Sequence, residues 1–229
     1  MRSKRPFLPH LSLNSHFHRW VILSSPLHFY VGDQSGKVIV VEYINGRCQI
    51  NDNPLGVLTN SPPFMWHIAN LSNYVNLSPV TVPQLDLSHI DVKNFGQGTG
   101  LLGLPGDYTP PSRFIRASLF SQWAHPEKDA SDTARLGFHI LNTFDIFEGI
   151  VRSGSSSPDS KDSHQEITEW TIVHDRTHLK SYFRNYFSLR IQMVDFKKVD
   201  FSTPGFRTIA LESSFDVKDS TLDAVSITP

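Results

Sequence analysis

A single cysteine, Cys48, stands in 229 residues. One thiol excludes an internal disulfide framework and a zinc site built from several thiolates of one chain. Net charge is almost absent: 21 Lys and Arg against 22 Asp and Glu leave a formal charge of −1, so there is no electrostatic case for nucleic acid or an anionic membrane as partner. Long apolar runs are missing too. Nothing approaches the roughly 18 residues that span a bilayer. The basic start, Met1-Arg2-Ser3-Lys4-Arg5-Pro6, is followed by Pro9, His10, Asn14 and His16 rather than by the apolar stretch of a signal peptide. Neither a transmembrane helix nor a signal peptide is expected, which leaves cytoplasm and periplasm both open. The 11 His lack ligand spacing apart from His16-x-His18 and His174, so no metal site is expected. No internal repeat is present.

The composition itself is that of a globular chain. Hydrophobic residues make up 39% and charged residues 19%, and the length suits one large domain or two small ones. Residues 1–20 show no period and read as a lead-in. Pro26 to Asp33 and Lys37 to Tyr43 are β-branched and aromatic runs split by Gln34-Ser35-Gly36, a hairpin pattern. Asn45-Gly46 signals a second hairpin turn, so an antiparallel meander is expected through Cys48 and Ile50. Cys48, mid-strand, reads as a structural residue.

Gly56 to Leu58 reads as a short strand ending in the amide of Asn60, with Pro62-Pro63 blocking any extension of the sheet. Phe64, Ile68 and Leu71 then recur at helical spacing. Residues 76–100 are punctuated by Pro and Gly and are expected as a long loop. Gly96-x-Gly98-x-Gly100 lacks the Lys-Ser/Thr ending of a phosphate loop, so no nucleotide site and no cofactor is expected. Next, Gly103-Leu104-Pro105-Gly106-Asp107 forces a tight turn that Asp107 closes. Pro110-Pro111 follows, with Arg113 at a helix start capped by Ser112.

Helical spacing recurs over 113–122 and 129–142, two helices expected on one sheet face. Residues 153–163 read as an exposed loop and 212–229 as a weakly packed tail. Between them three strands are expected, at 169–175, 179–187 and 189–196. β blocks flanking helices, rather than alternating with them, make the class α+β with antiparallel sheets.

Two stretches, Leu58-Thr59-Asn60-Ser61-Pro62 and Gly103-Leu104-Pro105-Gly106-Asp107-x-Thr109 through Ser112-Arg113-Phe114, closely resemble recurring motifs of the choloylglycine hydrolase and penicillin V acylase family. The resemblance runs from about residue 26 to about residue 209. It implies a partial four-layer αββα fold of N-terminal-nucleophile hydrolases, over a domain taken as 21–211, and hydrolysis of linear amide C–N bonds by a cysteine that heads the mature chain. On the same resemblance Asn60 donates to the oxyanion, and Arg113 lies against the nucleophile and favours its thiolate. Phe64 and Trp66, with Met65 beside them, are candidates to line the acyl pocket, although aromatics on a short helix more often serve as core. The implied partner is a small N-acyl amide, and a homo-oligomer, tetrameric in relatives, is implied through a loop within 76–100. The cysteine that resemblance requires has no counterpart in the matched stretch. The expectation is therefore the C-terminal portion of such an amidase, inactive as given, or a non-catalytic binding module or truncated gene product.

Overall fold

The computed structural model describes residues 27–125, 127–153, 164–212, 214–215 and 217–220. The chain divides into two compact units, 1–52 and 53–229. In the first, β1 (His28–Gly32), β2 (Val38–Ile44) and β3 (Arg47–Asp52) form an antiparallel sheet in sequence order. Both turns fall where the sequence placed them. At the second, Asn45 and Gly46 both adopt positive φ, 51° and 76°, the pair that matches the twist of a tight hairpin. Val40 and Glu42 on β2 are buried, and Cys48 is exposed.

The second unit opens with a correction. Gly56 to Leu58 is not a strand, because the buried side chain of Asn53 supplies the pairing that a neighbouring strand would have given. Its Nδ2 donates to the Val57 carbonyl at 2.9 Å and its Oδ1 accepts from the Val57 amide at 3.4 Å. The Asn53 carbonyl accepts from the Gly56 amide at 3.2 Å, closing a loop that aims the chain at Asn60. Helix α1 (Phe64–Asn70) follows as expected and tightens into a 3-10 turn, Leu71–Tyr74.

The 76–100 stretch holds a hairpin that its punctuation concealed, β4 (Gln84–Leu87) paired with β5 (Ile90–Lys93). Two short alternating runs suffice because Ser88 takes a positive φ of 54° at the turn. Gly100 closes the excursion. A Cβ there would meet the backbone carbonyl oxygens of Ser78 and Val80, so only glycine allows this approach.

Helix α2 (Pro110–Trp123) begins earlier than the sequence suggested, at a proline in its first position, which pre-sets the helical φ. Its N-cap is Thr109, without a side-chain capping bond. Ser112 therefore does not cap; it is buried inside the first turn. Helix α3 (Ala130–Asn142) is capped by Asp129, whose carboxylate accepts from the Asp132 amide at 2.8 Å. Two short strands, β6 (Val151–Ser153) and β7 (His164–Glu166), pair with each other. The segment between them lies outside the described residues, as do residues 1–20.

The last sheet, ordered β10-β9-β8, comprises β8 (Trp170–Asp175), β9 (Lys180–Asn185) and β10 (Gln192–Asp195). Thr171 and Val173 face inward, while Trp170 and Ile172 are exposed. Helix α3 covers the inner face, where Val173 fits against Gly137 so closely that a Cβ would lie 3.2 Å from it. Both helices were expected on this face. Helix α2 instead makes its main contacts with α1 and α3, because its buried residues, Phe114 above all, meet the aromatic face of α1. Glu212 is tied down by Asn185, whose Nδ2 donates to its carbonyl at 2.7 Å. The architecture is α+β with antiparallel sheets throughout. No described helix is long and apolar enough to cross a membrane.

Candidate active site

Asn60 and Arg113 are 53 residues apart in sequence and touch. Arg113 Nη2 donates to Asn60 Oδ1 at 2.7 Å. A guanidinium can only donate, so it fixes which end of the carboxamide faces it, and the amide NH2 becomes the donor end left for a ligand. Asn60 is exposed. The two Pro- and Gly-rich corners thus deliver an oriented donor to the surface.

Arg113 is itself fixed. Its Nε donates to the Tyr108 carbonyl at 3.0 Å, which binds it to the turn preceding its own helix. That turn is organised by Asp107, whose Oδ1 accepts from the Thr109 amide at 2.9 Å and whose Oδ2 accepts from Ser112 Oγ at 2.5 Å. These bonds, the one from Ser112 foremost, hold the Asp107 carboxyl down to about 2, since hydrogen bonds to the charged form favour it. The turn-closing role read from the sequence is the role observed.

Arg116, one helical turn on, donates through Nη1 to the carbonyls of Pro105 at 2.7 Å and Asp107 at 2.8 Å. Its guanidinium sits over the Phe144 ring, 5.1 Å from the centroid. Burial, chiefly, pulls the pKa of both arginines below the ordinary value; the proximity of Arg116 adds to the effect on Arg113, and Glu166 opposes it. Both stay charged. Two guanidiniums, Arg113 and Arg116, stand at the N-terminal end of a helix with no acidic residue in its first turn; the Asp107 carboxylate just before it and Glu166 offset part of their charge, and the helix end itself favours developing negative charge.

Beneath Asn60 lies His67, fully buried. Its Nε2 is 2.9 Å from the Asn60 carbonyl and 3.4 Å from Thr59 Oγ1, and its ring stacks on Phe114 at 4.8 Å. Thr59 Oγ1 in turn donates to the Pro110 carbonyl at 3.1 Å. Nδ1 of His67 is buried with no partner among the described residues, an arrangement that costs about 1–3 kcal/mol. Phe64 is 1% exposed and meets Phe114 edge-on, with centroids 6.1 Å apart. Trp66 is 46% exposed and Met65 51%, so Trp66 is the aromatic of the expected pair that reaches the surface.

His67 and Arg116 were not singled out from the sequence. Both carried a signal: His67 lies three residues after Phe64, on the face already marked by Phe64, Ile68 and Leu71, and Arg116 lies three after Arg113. Among the described residues no group of His, Cys, Asp and Glu could hold a metal ion.

Compared with known proteins, residues 13–210 match the profile of the linear amide C–N hydrolases, choloylglycine hydrolase family. A bile salt hydrolase/transferase of Clostridium perfringens is 39% identical over 178 residues, covering 77% of this chain and 52% of that protein. A penicillin V acylase of Pectobacterium atrosepticum is 28% identical over 187 residues, covering 78% and 44%. The crystal structure of a single-substitution variant of a conjugated bile acid hydrolase from Clostridium perfringens superposes with a TM-score of 0.73 at 32% identity, covering 83% of this chain and 56% of that one. The chain spans about half the length of the curated relatives it matches.

Proposed function

The chain belongs to the choloylglycine hydrolase family of linear amide C–N hydrolases, and on that premise we propose that Asn60 and Arg113 form the oxyanion side of a site that hydrolyses a small N-acyl amide. The observation that carries the reading is the 2.7 Å bond between them. Attack on an amide carbonyl places negative charge on its oxygen, and a donor held in advance at that position lowers the barrier without reorganising. Asn60 supplies the donor. Arg113 keeps the donor facing outward and, with Arg116, brings positive charge to the corner. That charge suits a thiolate nucleophile or the carboxylate of a conjugated substrate.

Trp66, exposed on the helix that follows Asn60, is the proposed contact for an apolar acyl group such as a steroid or phenoxyacetyl moiety. Phe64 enters the proposal as the buried support that seats this helix on Phe114. In β4 and β5 the register pairs Leu85 with Val92 and Leu87 with Ile90, which puts four exposed apolar side chains on one face of the hairpin. That face is the proposed contact for self-association.

The nucleophile implied by the resemblance is a cysteine whose own α-amine acts as base. Cys48, the only cysteine of the sequence, is internal to β3 and has no α-amine. Residues 1–229 alone are therefore expected to turn over little or no substrate while retaining affinity for it. The second reading, a non-catalytic acyl-amide binding module, shares that affinity. Penicillin V and a glycine-conjugated bile acid are the assay substrates. Clear turnover that survives Cys48→Ala would refute the account of the nucleophile, and turnover abolished by Cys48→Ala would assign the reaction to that thiol.

A further inference from the structure

His67 is the buried polar group at this site that the amidase reading leaves without a task. We propose that it is a positioning residue: its Nε2–H holds the Asn60 backbone, and with the Thr59 hydroxyl it keeps that corner in register with the helix carrying Arg113. This inference rests on the reading of Asn60 and Arg113 as the substrate site.

One proton arrangement satisfies every contact. The Asn60 carbonyl, 2.9 Å from Nε2, can only accept, so Nε2 carries the ring proton. The Thr59 hydroxyl gives its single proton to the Pro110 carbonyl at 3.1 Å, which leaves a lone pair facing Nε2 at 3.4 Å. Nδ1 is then the unprotonated nitrogen, the one without a partner among the described residues. The ring plane is set by stacking at 14° on Phe114, the neighbour of Arg113 in sequence. A single imidazole therefore touches the main chain that carries the amide donor and the helix that carries the guanidinium. Leucine would fill the space without orphaning a nitrogen. What leucine cannot do is donate to the Asn60 carbonyl.

The test is made on the whole 229-residue chain, labelled with 15N and free of ligand. Long-range proton–nitrogen correlation of the imidazole is expected to show the Nε2–H form; an Nδ1–H form overturns the proposal. In His67→Leu the Asn60 carboxamide and Arg113 Nε–H resonances should lose their native shifts, whereas His67→Gln, whose amide can still donate, should largely keep them. Thr59→Val, a smaller change, should move them in the same direction as His67→Leu, and it serves where the leucine variant does not fold. A folded His67→Leu chain with unchanged Asn60 and Arg113 signals overturns the idea, as does a glutamine variant that loses as much as the leucine one. Failure of the amidase reading appears separately, as no binding of penicillin V or a glycine-conjugated bile acid by the unaltered chain.

Discussion

Replacing Asp107 by alanine tests how the Arg113 corner is built. The Asp107 carboxyl titrates at about 2 rather than its ordinary 3.8, and at about 1.36 kcal/mol per unit the full shift corresponds to roughly 2.5 kcal/mol. Asp107 is exposed, so solvent screening brings the pH-linked part to about 1 kcal/mol. The buried Ser112 hydroxyl left without its acceptor costs about 1 kcal/mol more. Together the wild-type chain should exceed Asp107→Ala by about 2 kcal/mol at neutral pH. Because the folded carboxyl is the more acidic, its contribution is present in full above about pH 4 and is lost as pH falls from there toward 2. Urea unfolding of both chains, measured stepwise from pH 7 to pH 3, should show a constant gap that begins to close below about pH 4. A gap that stays the same down to pH 3, or is absent at pH 7, would refute this account of the turn.

Phe114→Ala should cost about 3–5 kcal/mol, because Phe114 is fully buried between Phe64 and His67; a loss under about 1 kcal/mol in chemical denaturation would mean that this aromatic cluster is not the core of its unit. Gly100→Ala should be destabilised by more than about 2 kcal/mol, since its Cβ would overlap two backbone oxygens, and an unchanged melting temperature would contradict that. Arg113→Met removes the charge-assisted bond that Arg113 makes to Asn60, so the chain should lose about 1 kcal/mol of stability in urea unfolding, and an unchanged midpoint would mean that the contact contributes nothing. Ile90→Asp in the β4–β5 hairpin should reduce any self-association seen by sedimentation, and an unaltered profile for an associating chain would place the contact elsewhere.

Local signals in the sequence carried most of the fold. The turns at Gln34-Ser35-Gly36 and Asn45-Gly46 depend on residues adjacent in the chain, and both hairpins formed where expected. Gly56 to Leu58 misled because one side chain, Asn53, took the place of a neighbouring strand, a substitution that no periodicity records. The hairpin at 84–93 was hidden by its brevity and its flanking prolines. The contact between Asn60 and Arg113 spans 53 residues, and only the family resemblance of the two motifs pointed to it. His67 stayed out of view because its polarity set it apart from the apolar periodicity on whose face it lies.

The central claim, that Asn60 supplies the oxyanion donor and Arg113 orients it, is tested most directly by catalysis. Residues 27–229 would be joined behind a segment engineered to begin, after processing, with the N-terminal cysteine that the resemblance implies. Turnover of a glycine-conjugated bile acid or penicillin V is then measured with and without Asn60→Ala. The account predicts that kcat falls by about 10²–10³-fold with KM little changed. A fusion that hydrolyses either substrate equally fast with and without the substitution would contradict it.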